Sequence, residues 1–532
     1  MTRRWTNHGS IGQKGCFSCF TAVGELRSEL ADLTHCVSPQ IGLVGDPEQI
    51  FPEPEVIMSS RLRPRPFRSL IRLCGAVISA YGLIALLPTQ LAFGQDPNDN
   101  TIGGGLTSGV AVDANGILRR LTTNDPTGLL SRQRIEEARA TLGSDVARPS
   151  KLRKVSLTRL ARLIKQAIDA GYGPDEAMKH LAGLTRIQYI FYYPETQDIV
   201  LAGPAEGWIE DNAGRIVGIE SGQPVLELQD LIVALRTFPP AAKSNPVVFC
   251  SIDATPEGLS RMQQFRSQIG RTIRPNDEQF IVEGLRESLG RQVITLGGIP
   301  STTHFAQVMV EADYRMKLIG IGLEQPPARF KSYIDLANFA SIASNAMCRW
   351  WFVPDYQRIK ISTDGDAAEL VGNGVKLVGE DEVVTADGSR QQTGGQNRAS
   401  RTFTEGFTRK YAEIARNAPV YGQLRNCIDL LVTAAFIQQH DLYGKAGWDL
   451  SVLGDEASYP VETRNAPREV ATAVNSVWKG RQLATPVGGG VQIQARQALD
   501  PENLLSDNDG SVQSARDSVS LSDLPADKWW WD

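Results

Sequence analysis

The residues best placed to do chemistry fall on one predicted helix, from Ser301 to about Met316. At about 100° per residue, Phe305, Met309, Ala312 and Met316 form an apolar stripe facing the core, and His304, Glu311 and Arg315 gather on one flank of it. Asp313 and Lys317 lie on the other flank. The ordinary reading is a half-buried helix with two i,i+4 ion pairs, Glu311 with Arg315 and Asp313 with Lys317, each adding about 0.2–0.5 kcal/mol. The sharper reading starts from His304, which follows the turn Gly297-Gly298-Ile299-Pro300. There it opens on a pocket at the helix N-terminus, where the helix dipole favours anions and lowers a histidine pKa. The ordinary reading is favoured; His304 in a concave pocket, within hydrogen-bond reach of a second polar side chain, would revive an enzyme reading.

Glu206 completes the set of candidate catalytic residues. In Gly203-Pro-Ala-Glu206-Gly-Trp208 it could present a carboxylate beside an aromatic platform, as sugar-handling sites do, although a strand-linking turn with a core tryptophan explains the segment as well. Other signals are weaker. Asp507-Asn-Asp509-Gly510 resembles part of a calcium loop, but Leu505 and Arg516 stand where its first and last carboxylates belong. The sequence has no H-E-x-x-H, G-x-S-x-G, G-x-x-x-x-G-K-[ST] or strand-following G-x-G-x-x-G. His180, His304 and His440 are the histidines after residue 94, too few for a multi-histidine centre, so neither a metal nor a cofactor is expected. The cluster Arg148, Lys151, Arg153, Lys154, Arg159, Arg162 and Lys165 could bind an anionic polymer. It lacks the interleaved aromatics of a single-strand binder and reads as the solvated start of an amphipathic helix. Trp529-Trp530-Trp531 could anchor a partner or a membrane interface, or belong to an unselected tail.

The segment Met58–Arg72 carries five arginines and no acid. The apolar stretch Leu73–Leu87 follows, and then Leu91-Ala92-Phe93-Gly94-Gln95. Basic, apolar and small-residue regions in this order make a secretory signal, with cleavage expected after Gly94. Met58 is then the expected initiator and residues 1–57 an upstream extension, so Cys16-x-x-Cys19 and Cys36 drop out of the mature chain. Residues 1–94 hold nine of the 55 Lys+Arg and seven of the 60 Asp+Glu, which leaves the remainder at net −7. Interspersed charge of that sign argues against nucleic acid as a partner. Cys250, Cys348 and Cys427 remain, each in an apolar setting, and buried free thiols are expected although one bridge is open. Outside the signal no apolar run is long enough for a transmembrane span.

The elements that must position these residues form an α+β fold. A small antiparallel sheet region comes first, then an α/β sandwich-like core, a C-terminal helical region and a disordered tail. The expected division is a flexible leader at 95–105, an N-terminal α+β region at 106–245, a central α/β domain at 246–386, a linker at 387–400, a mainly helical region at 401–497 and a disordered acidic tail at 498–532. Asn115-Gly116 between alternating apolar residues predicts a hairpin. Ser156 is placed to cap a helix running to Ala170. Ile187, Tyr189 and Phe191 alternate before a returning strand at Ile199–Leu201. A helix at about 226–237 buries Leu228, Leu231, Ile232 and Leu235. Strands at 247–252, 292–296 and 318–323 alternate with helices at 256–269, 277–289 and 301–316. Further helices are expected at 333–347, 404–416 and 419–440.

Several stretches in order, among them Ile199–Trp208, Leu228–Arg236, Phe305–Lys317, Leu377–Val383 and Val420–Asn426, resemble an uncharacterised family of exported proteins from planctomycete bacteria that carries a domain of unknown function. The resemblance runs over most of 106–450. It implies export and a bacterial source, and it carries over no reaction or site residue. With the composition, it leads us to expect an exported soluble protein of the periplasm or extracellular space, a non-catalytic binding protein for an unknown macromolecular partner. The alternative is an exported hydrolase without a short motif, since paired carboxylates need none.

Overall fold

The structure, a computed structural model, describes residues 106–240, 245–269, 274–338, 346–478, 482–484, 487–518, 521 and 524–532. The extension, the signal segment, its cleavage point, Cys16, Cys19, Cys36 and the leader lie outside the described residues.

The fold is α+β, with two mixed sheets. The larger sheet has nine strands in the order Leu106–Val112, Ile117–Asn124, Glu469–Ala471, Arg291–Gly297, Val248–Ala254, Val487–Ile493, Ala346–Asp355, Gly374–Val384 and Arg390–Gln392. The smaller has seven, in the order Leu504–Ser506, Arg358–Ile361, Ala367–Val371, Tyr189–Tyr193, Asp198–Ala205, Ser150–Ser156 and Trp530–Trp531. The large sheet takes strands from the expected N-terminal, central and C-terminal regions, and the small one from the N-terminal and central regions and the tail. Among the described residues, these regions lie within one compact unit.

Most local expectations hold. Leu106–Val112 and Ile117–Asn124 pair around the Asn115-Gly116 turn. Ser156 caps Leu157–Asp169 by accepting from the Arg159 amide. Cys250, Cys348 and Cys427 are buried and free. Among the described residues no helix is long and apolar enough to cross a membrane.

Three helices position the candidate site: Leu228–Thr237, His304–Gly320 and Pro419–Gln439. Nearly every residue from Val420 to Ile437 is buried, the pattern of a helix surrounded by protein. The His304 helix rests on strands Val248–Ala254 and Val487–Ile493 and meets the other two helices. One face of the seven-stranded sheet, through Val155, Ile190, Tyr192, Ile199 and Leu201, joins these helices in the main core.

Several expectations need correcting. The strand expected at 318–323 is instead the end of the His304 helix, which runs on to Gly320. Gly322 takes φ 75°, and the amides of Gly322 and Leu323 close back on Ile319 and Leu318; the left-handed glycine stops the helix there. Among the described residues the helix expected at 333–347 covers Tyr333–Leu336, with Ala346 already in a strand, and the expected linker contains the strand Arg390–Gln392 and the start of helix Arg398–Arg409. The mainly helical region contributes a strand to the middle of the large sheet, Val487–Ile493. In its Gly488-Gly489-Gly490, a Cβ on Gly489 would lie 1.7 Å from the Trp350 carbonyl oxygen. Glycine is the residue that lets those backbones approach.

The tail is the largest correction, because it is folded. Leu504–Ser506 and Trp530–Trp531 are the two edge strands of the small sheet, and Ser511–Arg516 is helical. Val512, Leu521 and Trp531 cover the outer face of that sheet, against Phe191, Tyr193, Val200 and Ala202. The basic cluster receives this tail. Arg153, fully buried, donates to Asp532 at 2.8 Å and to the Val146 and Ala182 carbonyls, and stacks on Trp530. Arg159 pairs with Asp198 at 2.9 Å and donates to the Pro525 and Lys528 carbonyls. These arginines are thus not the solvated start of a helix.

Candidate functional site

His304 is the first residue of its helix, and Thr303 caps it by accepting from the Ala306 amide. The ring is buried, with 8% of the residue exposed. Its Nδ1 lies 2.8 Å from Asp230 Oδ2, and its Nε2 lies 3.6 Å from Glu227 Oε1 and 3.3 Å from the Gln423 side-chain amide. Asp230 stands in the first turn of Leu228–Thr237. Glu227 is the N-cap residue of that helix without capping it through its side chain; its Oε2 accepts from Gln229 and its Oε1 turns toward His304. Gln423 belongs to the second turn of the Pro419 helix. The cluster therefore sits where the N-terminal ends of three helices converge, a region of positive potential that favours carboxylates.

Burial opposes a charged His304 ring, but the Asp230 and Glu227 carboxylates outweigh it and hold its pKa up to about 9. The helix-end lowering expected from sequence is thus reversed by two acids that sequence spacing does not bring near. Asp230 Oδ1 is buried with no hydrogen-bond partner. Asp230 thus supplies the polar partner within hydrogen-bond reach that was named above as one half of an enzyme arrangement.

Glu311 and Arg315 are also buried, but they belong to a separate network. Seven residues separate His304 from Glu311, about 10.5 Å along the helix axis. Glu311 pairs with Arg215 and, at 3.3 Å, with Arg315; Arg315 also holds Glu324 at 2.7 Å. Arg215 comes from the turn before the short strand Ile216–Gly218, so this network ties that hairpin to the helix. On the other flank Lys317 pairs with Asp313 at 2.8 Å and donates to the Ile252 carbonyl. Both expected i,i+4 pairs are present, deeper than a half-buried helix would place them. The stripe Phe305, Met309, Ala312 and Met316 is fully buried.

Glu206 lies apart. Its carboxylate accepts from the amides of Glu220 and Ser221 and from the Ser221 hydroxyl, so it organises a turn. Trp208 packs edge-on against His180.

Sequence reasoning missed Glu227, Asp230 and Gln423. Their helices are legible, but which helix ends meet is settled by packing alone. The available signal was Glu227-x-x-Asp230, two acids at i,i+3 around the start of a helix whose other face is apolar.

Residues 250–333 match the model of a family described as protein of unknown function, DUF1598. The matched span contains His304, Glu311 and Arg315 but not Glu227, Asp230 or Gln423. No curated protein and no solved structure matches this chain.

Proposed function

We propose that this protein is exported and acts as a non-catalytic binding protein outside the cytoplasm. The observation that carries this reading is the commitment of Glu206, Glu311 and Arg315 to internal bonds. These side chains are spent on the fold rather than held free for a substrate, as suits a binding protein. The signal-like order of residues 58–94 supports export. Sequencing the mature protein should find Gln95 at its N-terminus, and a membrane-impermeant cross-linker applied to intact cells should trap a partner that rebinds the purified chain. A chain found inside the cell with residues 1–57 still attached would overturn the reading.

One observation favours a hydrolase instead. Asp230 orients His304 through Nδ1, as a carboxylate orients a catalytic imidazole. Hydrolysis of an ester or glycoside by the purified chain, lost in His304→Gln, would establish that second reading.

A further inference from the structure

We infer that Glu227, Asp230 and His304 form a site for one divalent transition-metal ion of the zinc class, which clamps the N-terminal ends of the Leu228–Thr237 and His304–Gly320 helices together beside Gln423. Among the described residues this is the group of histidine and acidic donors whose ligand atoms lie within 4.8 Å of one another. His304 Nε2 and Glu227 Oε1 stand 3.6 Å apart. That is too long for a hydrogen bond. It suits two ligands of one ion, since bonds of about 2.0–2.2 Å at tetrahedral angles place neighbouring donors roughly 3.4 Å apart. Asp230 Oδ2 accepts from Nδ1 at 2.8 Å, which fixes the ring and leaves the Nε2 lone pair facing Glu227.

The second observation is the other oxygen of Asp230. The residue is 6% exposed, and its Oδ1 has no hydrogen-bond partner. Buried carboxylate oxygens are ordinarily satisfied. Charge points the same way: once the ring gives up its proton to bind, two carboxylates around a neutral imidazole leave an excess of two negative charges, which a dication cancels. One nitrogen with oxygen donors selects zinc, manganese or ferrous iron over soft copper(I). Gln423, 3.3 Å from the ring, brings a carbonyl oxygen to the same place when its amide turns by half a revolution. With the side chains of His304 and Glu227 9% and 11% exposed, the ion is held away from solvent, so its role is structural. The inference does not depend on export or on binding a partner.

The probe is Zn2+ alone, added to the full chain after treatment with a chelator. Calorimetry should find about one ion per chain, and thermal unfolding should shift upward by several degrees because only the folded state binds. Co2+ in its place should show visible absorption bands of a site with nitrogen and oxygen ligands. Glu227→Gln should weaken Zn2+ binding ~100-fold or more, beyond the ~10–100-fold of losing an outer partner. His304→Gln should abolish the Co2+ bands. Should His304→Gln fail to fold, Glu227→Gln decides alone. Absence of Zn2+ binding by the wild-type chain, or undiminished binding by Glu227→Gln, overturns the inference.

Discussion

The two ends of the His304 helix are both buried and both charged, yet they are built on opposite principles. Toward its middle and C-terminal end, Arg120, Arg215 and Arg315 set three cations against the three anions Asp211, Glu311 and Glu324. At its N-terminal end, two carboxylates, Asp230 and Glu227, face a single imidazole. Burial alone therefore does not separate structural ion pairs from a ligand site. Charge balance does: a balanced cluster has no net charge left for a ligand to neutralise, and an unbalanced one has.

The scale is set by a region outside the helix. Truncation after Gln497 removes Val512, Leu521, Trp529 and Trp531 from apolar contacts and should cost about 6 kcal/mol or more, at ~1.5–3 kcal/mol for each buried side chain. A melting temperature unchanged by truncation would mean the tail adds nothing. Next in size is Arg215→Met, which leaves Glu311 with one cation in place of two; urea denaturation should show a loss of ~3–5 kcal/mol. A loss below that from Asp230→Leu would sharpen the comparison, and an equal loss would break it. Third is pH. His304 titrates at about 9 in the fold against an ordinary 6.5. A raised histidine stabilises fully below pH 6.5, and that contribution, on the order of 2–3 kcal/mol, is lost as pH climbs through 9. Chelator-treated protein should weaken over that window, and His304→Gln should flatten the slope. A wild-type slope retained in the variant would assign the titration elsewhere. Smallest is Glu227→Gln in the metal-free chain. Removing the excess charge offsets the lost attraction, so stability should stay within about 1 kcal/mol of wild type.

Much of this was legible in sequence wherever the cause is local. The stripe Phe305, Met309, Ala312 and Met316, the two i,i+4 pairs, the Ser156 cap and the Asn115-Gly116 hairpin all follow from neighbours a few residues apart. The partners of His304 do not, since Asp230 is 74 residues away and Gln423 is 119. The tail escaped for a related reason. Val512, Leu521, Trp529 and Trp531 show no period because each fills a separate place on a surface built from distant strands. The strands themselves held the clue: Ile190-Phe191-Tyr192-Tyr193 and Ile199-Val200-Leu201-Ala202 are apolar on both parities, as strands covered on both faces are. Alternation at Ile187, Tyr189 and Phe191 describes one face only.

The pairing of Trp530–Trp531 with Lys154–Val155 also sets an order of events during synthesis. Strands Ser150–Ser156, Tyr189–Tyr193 and Asp198–Ala205 leave the ribosome early, but the segment that shields Phe191, Tyr193 and Val200 is translated more than 300 residues later. Contacts so distant in sequence close slowly. Through that interval the nascent chain displays an aromatic surface, the kind that chaperones hold and that aggregates when nothing holds it.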